Sequence, residues 1–230
     1  VNMVMTVNPK TKTILLTSIP RDYYVKLASK EAMDKLTHSG LYGINETTET
    51  VENLLGIDIN YHLKVNFTTV IKLVDTLGGI TVNSDYSFSA MGYNFSKGPN
   101  ELSGKAALAF SRERHSFAAG DNQRVKNQQA VIAGIINKCT SSSSILTNYT
   151  GILNSVENNI NTNMSQSDIT SLVKMQLGDM SSWTIKQQSL KGSGKSTAVY
   201  SMPNSRVYVM VPDQASVEQA KAQIESVMSQ

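Results

Sequence analysis

The chain has 230 residues, 40% of them hydrophobic and 17% charged, with a formal net charge of +3. That length and apolar content are enough to bury a real core, whereas a charge so near balance argues against the basic face or stripe of a nucleic-acid-binding protein, so that any anion is bound locally. A single cysteine, Cys139, excludes an internal disulfide framework and a multi-cysteine zinc site, and no run approaches the roughly 18 to 20 consecutive apolar residues of a membrane span.

The chain enters at once on the strand-like run VNMVMTVN, with no charged-then-apolar leader, and Val1 is not a methionine. It is therefore read as part of a longer protein, with any membrane anchor and the first part of the fold upstream. A hairpin is expected first: Val1 to Val7, a turn at NPKTK, then TILLTSI, rich in β-branched residues and ending at Pro20. The proline-fixed turn that follows presents Arg21 and Asp22 at the carboxyl end of a strand, where open α/β sheets place their sites. A helix is expected over Glu46 to Leu55, then a strand at HLKVNF. TTVIKLVDTLGG follows, its Val70, Leu73, Val74 and Leu77 recurring at i, i+3, i+4 and i+7 and its Gly78 stopping the helix. ITVN restarts a strand, and this alternation argues for an α/β layered fold, a central mixed sheet with helices on both faces.

Residues 84 to 100 read as a long loop or irregular hairpin, and ELSGKAALAF as helical. Asp121 opens the longest helix, with Val125, Ile132, Ile135, Ile136 and Cys139 on its apolar side. SSSS at 141 to 144 breaks it; short loops on either side favour one domain over residues 1 to 230 rather than a linker. Helices follow over Ile145 to Val156 and Ser165 to Met175, the latter capped by Thr162 or Ser165. Strands around Thr184 and Val207 and an amphipathic helix from Ala215 to Met228 complete the chain.

Chemistry concentrates in FSRERHSFAAGDNQRVKNQQ, residues 110 to 129, which holds three of the five arginines in a chain where lysine is about three times commoner. If SRERH is extended, Arg112 and Arg114 project to one side as a pincer. Asp121, Arg124 and Gln128, at i, i+3 and i+7, share a helix face. With HSFAAG as a hinge folding the two together, guanidinium forks gather near a helix N-terminus, a phosphate site in a geometry lysine does not match. The structural alternative has these arginines as surface residues paired with acids such as Glu113, Asp121 as the helix N-cap and Arg21 as a loop charge. GSGKST, residues 192 to 197, imitates the end of a P-loop, but position 189 is serine instead of glycine and AVYSMPNS behind it reads as strand or loop. His38, His62 and His115 lack metal-ligand spacing and read as solvated or hydrogen-bonded. Five Asn-x-Ser/Thr triplets are put down to composition.

Taken in order, NMVMTVNPKTKTILLTSIPRD, KLTHSGLYG, VNFTTVIKLVDTLGG and LSGKAALAFSRERH with GDNQRVKNQQ resemble the catalytic domain of the LytR-CpsA-Psr family of Gram-positive cell-wall glycopolymer ligases, over residues 2 to 129. The resemblance implies a phosphotransferase that moves a glycan phosphate, of capsular or teichoic-acid type, from a polyprenyl-pyrophosphate carrier to the 6-hydroxyl of a peptidoglycan muramyl sugar. It also implies magnesium or manganese as cofactor, a membrane attachment upstream and a position on the extracytoplasmic face. On the matching motifs, Arg21, Lys35, Arg112, Arg114, Arg124 and Gln128 correspond to the pyrophosphate-binding set and Asp121 to the acidic residue heading the long helix. Arg21, Arg112, Arg114, Asp121 and Arg124 are thereby the implied catalytic residues. The family's acidic residue before the first strand, associated with the metal, falls upstream of Val1, so no metal ligand is named. Lys126 and Asn127 stand where relatives often carry more arginine. A module that holds polyprenyl phosphates or anionic wall polymers without catalysis is the alternative, and turnover separates the two. The expected geometry is convergence of Arg21, Arg112, Arg114 and Arg124 on one cavity.

Overall fold

The structure, a computed structural model, describes residues 1–156 and 160–230. The strand-rich start comprises β1 (Asn2–Asn8), β2 (Thr13–Ile19), β3 (Tyr24–Lys26) and β4 (Met33–Lys35), followed by α1 (Leu36–Ser39), a 3-10 turn (Gly40–Tyr42) and α2 (Ile44–Leu55). Then come β5 (Leu63–Val65), α3 (Phe67–Thr76), β6 (Ile80–Ser84), β7 (Phe88–Ala90), β8 (Tyr93–Phe95), β9 (Gly98–Leu102), α4 (Gly104–Arg112) and α5 (Asp121–Ser141). After α6 (Ser143–Thr147), α7 (Tyr149–Val156), β10 (Ile160–Thr162) and α8 (Gln166–Asp179), the chain ends with β11 (Thr184–Ser189), β12 (Gly192–Val199), β13 (Met202–Pro212) and α9 (Gln214–Met228). Strands and helices alternate as expected of a mixed α/β protein, and among the described residues no helix is long and apolar enough to cross a membrane.

These elements form two compact units, residues 1–60 with 184–230, and residues 61–183. In the first, β2 is the middle strand of a mixed sheet: β1 pairs with it antiparallel, Asn2 opposite Ile19, and β11 parallel, Thr184 opposite Thr13. Every residue of β2 is buried, which is what its β-branched and leucine run is suited to. Leu15 and Ile19 pack with Val51 and Leu55 of α2 and Val217 and Ile224 of α9, whose Asp213 cap accepts from the Ala215 and Ser216 amides. β12 and β13 form a long hairpin with a bulge between Thr197 and Val199, so GSGKST lies on a strand and no helix N-terminus follows it.

The second unit is built around an aromatic cluster. Phe110, on the inner face of α4, lies 5.3 Å from Phe88 and 5.2 Å from Phe95 between ring centroids, and Phe88 meets Phe117 edge-on at 4.8 Å. Of the two forms expected for residues 84 to 100, the hairpin is the one observed: β7 and β8 pair antiparallel and contribute Phe88 and Phe95 to the core. Helix starts are set by side chains, Asn66 accepting from the Thr69 amide, Ser103 from that of Ala106, and Ser165 with Asp168 making a reciprocal capping box.

Several expected boundaries move. The strand at HLKVNF shrinks to Leu63–Val65 because Asn66 caps the next helix. Glu101 and Leu102 belong to β9, leaving only the residues after Ser103 to α4. The helix expected over 145 to 156 is two, broken at Asn148. The largest change is on α5, where Val125, Ile132 and Ile136 are only half-buried while Gln123, Asn127, Gln129, Val131 and Gly134 are buried. Gly134 packs where a Cβ would stand 2.8 Å from the Thr81 carbonyl oxygen, so a helix face chosen by hydrophobicity alone misses the contact that backbone proximity creates.

Candidate phosphate-binding site

In the unit of residues 61–183, α4 runs through Ser111 to Arg112, and only Glu113 leaves it extended. Arg112 and Arg114 are therefore not paired along one strand. Arg112 is exposed, its guanidinium carbon 5.1 Å from the Phe67 ring centroid, while exposed Arg114 donates from Nε to His115 Nε2 at 3.2 Å. Glu113, the acid between them in sequence, is engaged by its own loop and accepts from the Ser116 amide at 2.8 Å and hydroxyl at 3.1 Å. Partial burial pushes its carboxyl up, but these bonds and the His115 and Arg114 amides outweigh that and hold it below the usual range. Among the described residues neither Arg112 nor Arg114 has a carboxylate partner, so both cations are available to an anion. The intervening segment is pinned rather than hinged, because Phe117 is buried in the aromatic cluster.

The α5 N-cap is Gly120, at φ +49°, with no side-chain cap; Asp121 is the first helical residue. Its carboxylate meets Arg124 one turn later, Oδ1 to NH2 at 2.6 Å. Asp121 is 63% exposed and Arg124 only 19%, and Arg124 Nε is buried with no hydrogen-bond partner among the described residues. Gln128, half-buried one turn further, makes no hydrogen bond among the described residues. Beneath this face, Gln123 donates to Asn127 at 3.0 Å and to Asp85 at 3.3 Å, and Asn127 donates to the Phe110 carbonyl at 3.2 Å, tying α5 to the end of α4.

In the other unit, Asp22 gathers two cations. Arg21 Nε lies 3.4 Å from its Oδ2, and Lys35 Nζ 3.1 Å from its Oδ1. The α1 turn is fastened to this segment by the Thr37 amide on the Arg21 carbonyl, 2.9 Å, and the Leu36 amide on that of Tyr23, 2.8 Å. Sequence reasoning missed the group beside it: Asp34, fully buried, meets His38 Nδ1 at 2.8 Å, and the Ser201 hydroxyl lies 2.8 Å from the same nitrogen. The i, i+4 spacing of Asp34 and His38 was a signal available in DKLTH; Ser201 comes from 163 residues away and gave none.

The structure thus brings Asp121 to Arg124 in one unit, and Arg21 to Lys35 across Asp22 in the other. Among the described residues no three His, Cys, Asp or Glu side chains converge as a metal cage, and Asp22 and Asp121 are each taken up by cations. A protein-only magnesium site does not fit them. Magnesium is more often held by one or two carboxylates together with substrate phosphates.

Known proteins resemble the whole chain. The polyisoprenyl-teichoic acid–peptidoglycan teichoic acid transferase TagU of Bacillus subtilis (strain 168) is 46% identical over 191 residues, which cover 83% of this chain and 61% of that protein. The chain therefore spans about three fifths of that curated relative. The crystal structure of B. subtilis TagU superposes with a TM-score of 0.76 at 39% identity, covering 98% of this chain and 90% of that one. A solved structure of TagT bound to LIIa-WTA gives a TM-score of 0.78 at 28% identity, covering 100% of this chain and 85% of that one. The LytR_cpsA_psr family model matches residues 1–226, and by that match the chain belongs to the LytR_cpsA_psr family.

Proposed function

We propose that this chain transfers a teichoic-acid-type glycopolymer from a polyprenyl-pyrophosphate carrier to peptidoglycan, on the extracytoplasmic face of a Gram-positive cell and attached to the membrane by a segment upstream of Val1. The relative's name gives the reaction class. The observation that carries the reading to this chain's residues is Arg124: a guanidinium mostly withdrawn from water, its Nε unpartnered, at the start of a helix whose N-cap has no capping side chain. A buried donor left open costs free energy, which an incoming phosphate oxygen removes. Pyrophosphate cleavage asks chiefly for positioning and charge neutralisation, and exposed Arg112 and Arg114, without carboxylate partners, supply charge for it. Magnesium, in this reading, arrives with the donor phosphates; when bound it neutralises their charge.

The test is transfer of radiolabelled polymer from a polyprenyl-pyrophosphate donor to peptidoglycan, with magnesium and after its removal by chelation. Losing one charge-assisted arginine–phosphate contact, about 1.5 to 3 kcal/mol, slows transfer about 10- to 150-fold when the contact acts in the transition state. Arg112→Ala is expected to do so. Arg206→Ala, whose exposed guanidinium donates to the Ser196 carbonyl, is expected to leave the rate unchanged. Tight donor binding with no turnover on any wall acceptor would replace the transferase by a carrier-binding module.

A further inference from the structure

The Asp34–His38–Ser201 group has the chemistry of a held base. Asp34 is fully buried in the middle of β4, opposite Val25 of β3, and its oxygens accept from the Lys35 amide at 2.7 Å and the Ser201 amide at 2.8 Å as well as facing His38 Nδ1 at 2.8 Å. Burial pushes its carboxyl up, yet the bonds from Ser201, Lys35 and His38 outweigh this and keep it below the ordinary carboxylate value, so it is the anion. An anionic carboxylate only accepts, so the proton of the His38 ring sits on Nδ1, and the Ser201 oxygen shares that hydrogen. Nε2 is then the nitrogen with the free lone pair. It makes no hydrogen bond among the described residues, and the side chain is 22% exposed.

Two features give this lone pair a place in the reaction. The α1 turn that carries His38 is bonded to the Arg21 carbonyl and begins at Lys35, so the base stands in the same local network as two residues of the phosphate-binding set. Beside it, Tyr42 and Tyr200, each one to four residues from the group, meet at 6.2 Å between ring centroids yet remain 38% and 48% exposed, with Lys30 Nζ 4.8 Å from the Tyr42 ring. Paired aromatic rings left open to solvent suit the apolar C–H face of a pyranose, and the His38 imidazole, held 2.8 Å from the hydroxyl of Ser201 next to Tyr200, suits its hydroxyl.

We propose that His38 Nε2 takes the proton of the peptidoglycan acceptor's primary hydroxyl during transfer, with the Tyr42–Tyr200 pair as the platform for that sugar. This rests on the transferase function above. The hydroxyl oxygen bonds to the phosphorus that carries the glycan, the bond from that phosphorus to the bridging oxygen breaks, and its electron pair leaves with polyprenyl phosphate. The hydroxyl proton ends on Nε2, and the resulting imidazolium is stabilised by Asp34, as in other carboxylate–histidine pairs. Among the described residues, the other titratable groups of this neighbourhood are Lys35 on the same turn, Arg21 and Asp22 from the segment after β2, Tyr200 from the β12–β13 turn, and Tyr42 with Lys30 and Glu46.

His38→Asn is the informative variant, because the asparagine amide stands where Nδ1 stood and still donates to Asp34 while Nε2 is gone. It is expected to lower kcat about 100- to 1,000-fold with unchanged donor Kd and little change in Tm. Transfer within about threefold of wild type would overturn the proposal, as would a loss explained by unfolding in the melt. A second readout does not need turnover. Titration with a peptidoglycan glycan tetrasaccharide, followed by nitrogen NMR of the His38 ring, is expected to move Nε2, and Tyr42→Ala with Tyr200→Ala to abolish the movement. An unmoved Nε2 overturns the proposal. Absence of transfer by the wild-type protein with Nε2 still responding to the glycan would instead fault the transferase function and keep the acceptor site.

Discussion

Arg124→Met separates a residue kept for binding from one kept for folding. In the free protein Arg124 contributes one ion pair, to an Asp121 that is 63% exposed, and exposed pairs contribute at most about 1 kcal/mol. Against this stands the buried Nε with no partner, and a buried donor left unsatisfied costs about 1 to 3 kcal/mol. Methionine keeps much of the buried stem and removes both terms, so the variant is expected to be as stable as the parent or up to about 2 kcal/mol more stable. At roughly 2 to 4 °C per kcal/mol for a chain of this size, the Tm holds or rises by several degrees. Donor binding moves the other way, because the phosphate contact is worth about 1.5 to 3 kcal/mol, or about 10- to 150-fold in Kd. Differential scanning calorimetry and isothermal titration with a polyprenyl pyrophosphate analogue measure the two quantities on one sample. A variant destabilised by more than about 2 kcal/mol with an unchanged Kd would refute the reasoning and make Arg124 a structural residue.

Gln128→Ala is expected to weaken donor binding while changing stability by no more than about 0.5 kcal/mol, since the side chain has no hydrogen bond to lose; calorimetry and melting check both. Asp34 contributes stability that is fully present above its unfolded carboxyl value and is lost as pH falls through its lowered folded value. Asp34→Asn is therefore expected to flatten the acid side of a Tm-against-pH curve, and an unchanged slope would contradict the assignment. Gly134→Ala gains about 1 kcal/mol of helix propensity but drives a methyl to 2.8 Å from the Thr81 oxygen, so a net loss of about 1 to 2 kcal/mol is expected in urea unfolding.

Local chemistry made much of this fold legible. The opening hairpin appears as β1 and β2 because its β-branched runs flank NPKTK, and α2, α3 and α9 appear because their apolar spacing and their Gly or Asp ends agree. The arginine cluster was legible as composition, but its geometry was not. Whether SRERH is extended or helical depends on where Phe110 packs, and whether HSFAAG swings or is fixed depends on where Phe117 goes. Both answers lie on β7 and β8, a hairpin whose polar sequence conceals two buried phenylalanines. The α5 face held only in part, with Ile135 and Cys139 packed on the core, for a related reason: a column of glutamine and asparagine becomes interior when its amides find partners within the helix and beyond it, and periodicity counts only apolar residues.

That buried polar column also explains how the mostly buried guanidinium of Arg124 can be aimed. Gln123 and Asn127 stand one turn apart on the inner face of α5, and their amides fix the helix to Asp85 and to the Phe110 carbonyl. An apolar inner face of similar size would pack as tightly and still tolerate a slide or a small rotation, because dispersion contacts are non-directional. Hydrogen bonds are not, and a shift that broke the Asn127–Phe110 bond would leave both groups unpaired in the interior at about 1 to 3 kcal/mol each. Rotation about the α5 axis is thus restrained where Arg124 and Gln128 leave the helix. The Phe110 that receives Asn127 is two residues from Arg112, so one bond sets the relative position of the arginines of α4 and α5 before any ligand arrives, and that preorganisation lowers the cost of ordering them on a phosphate.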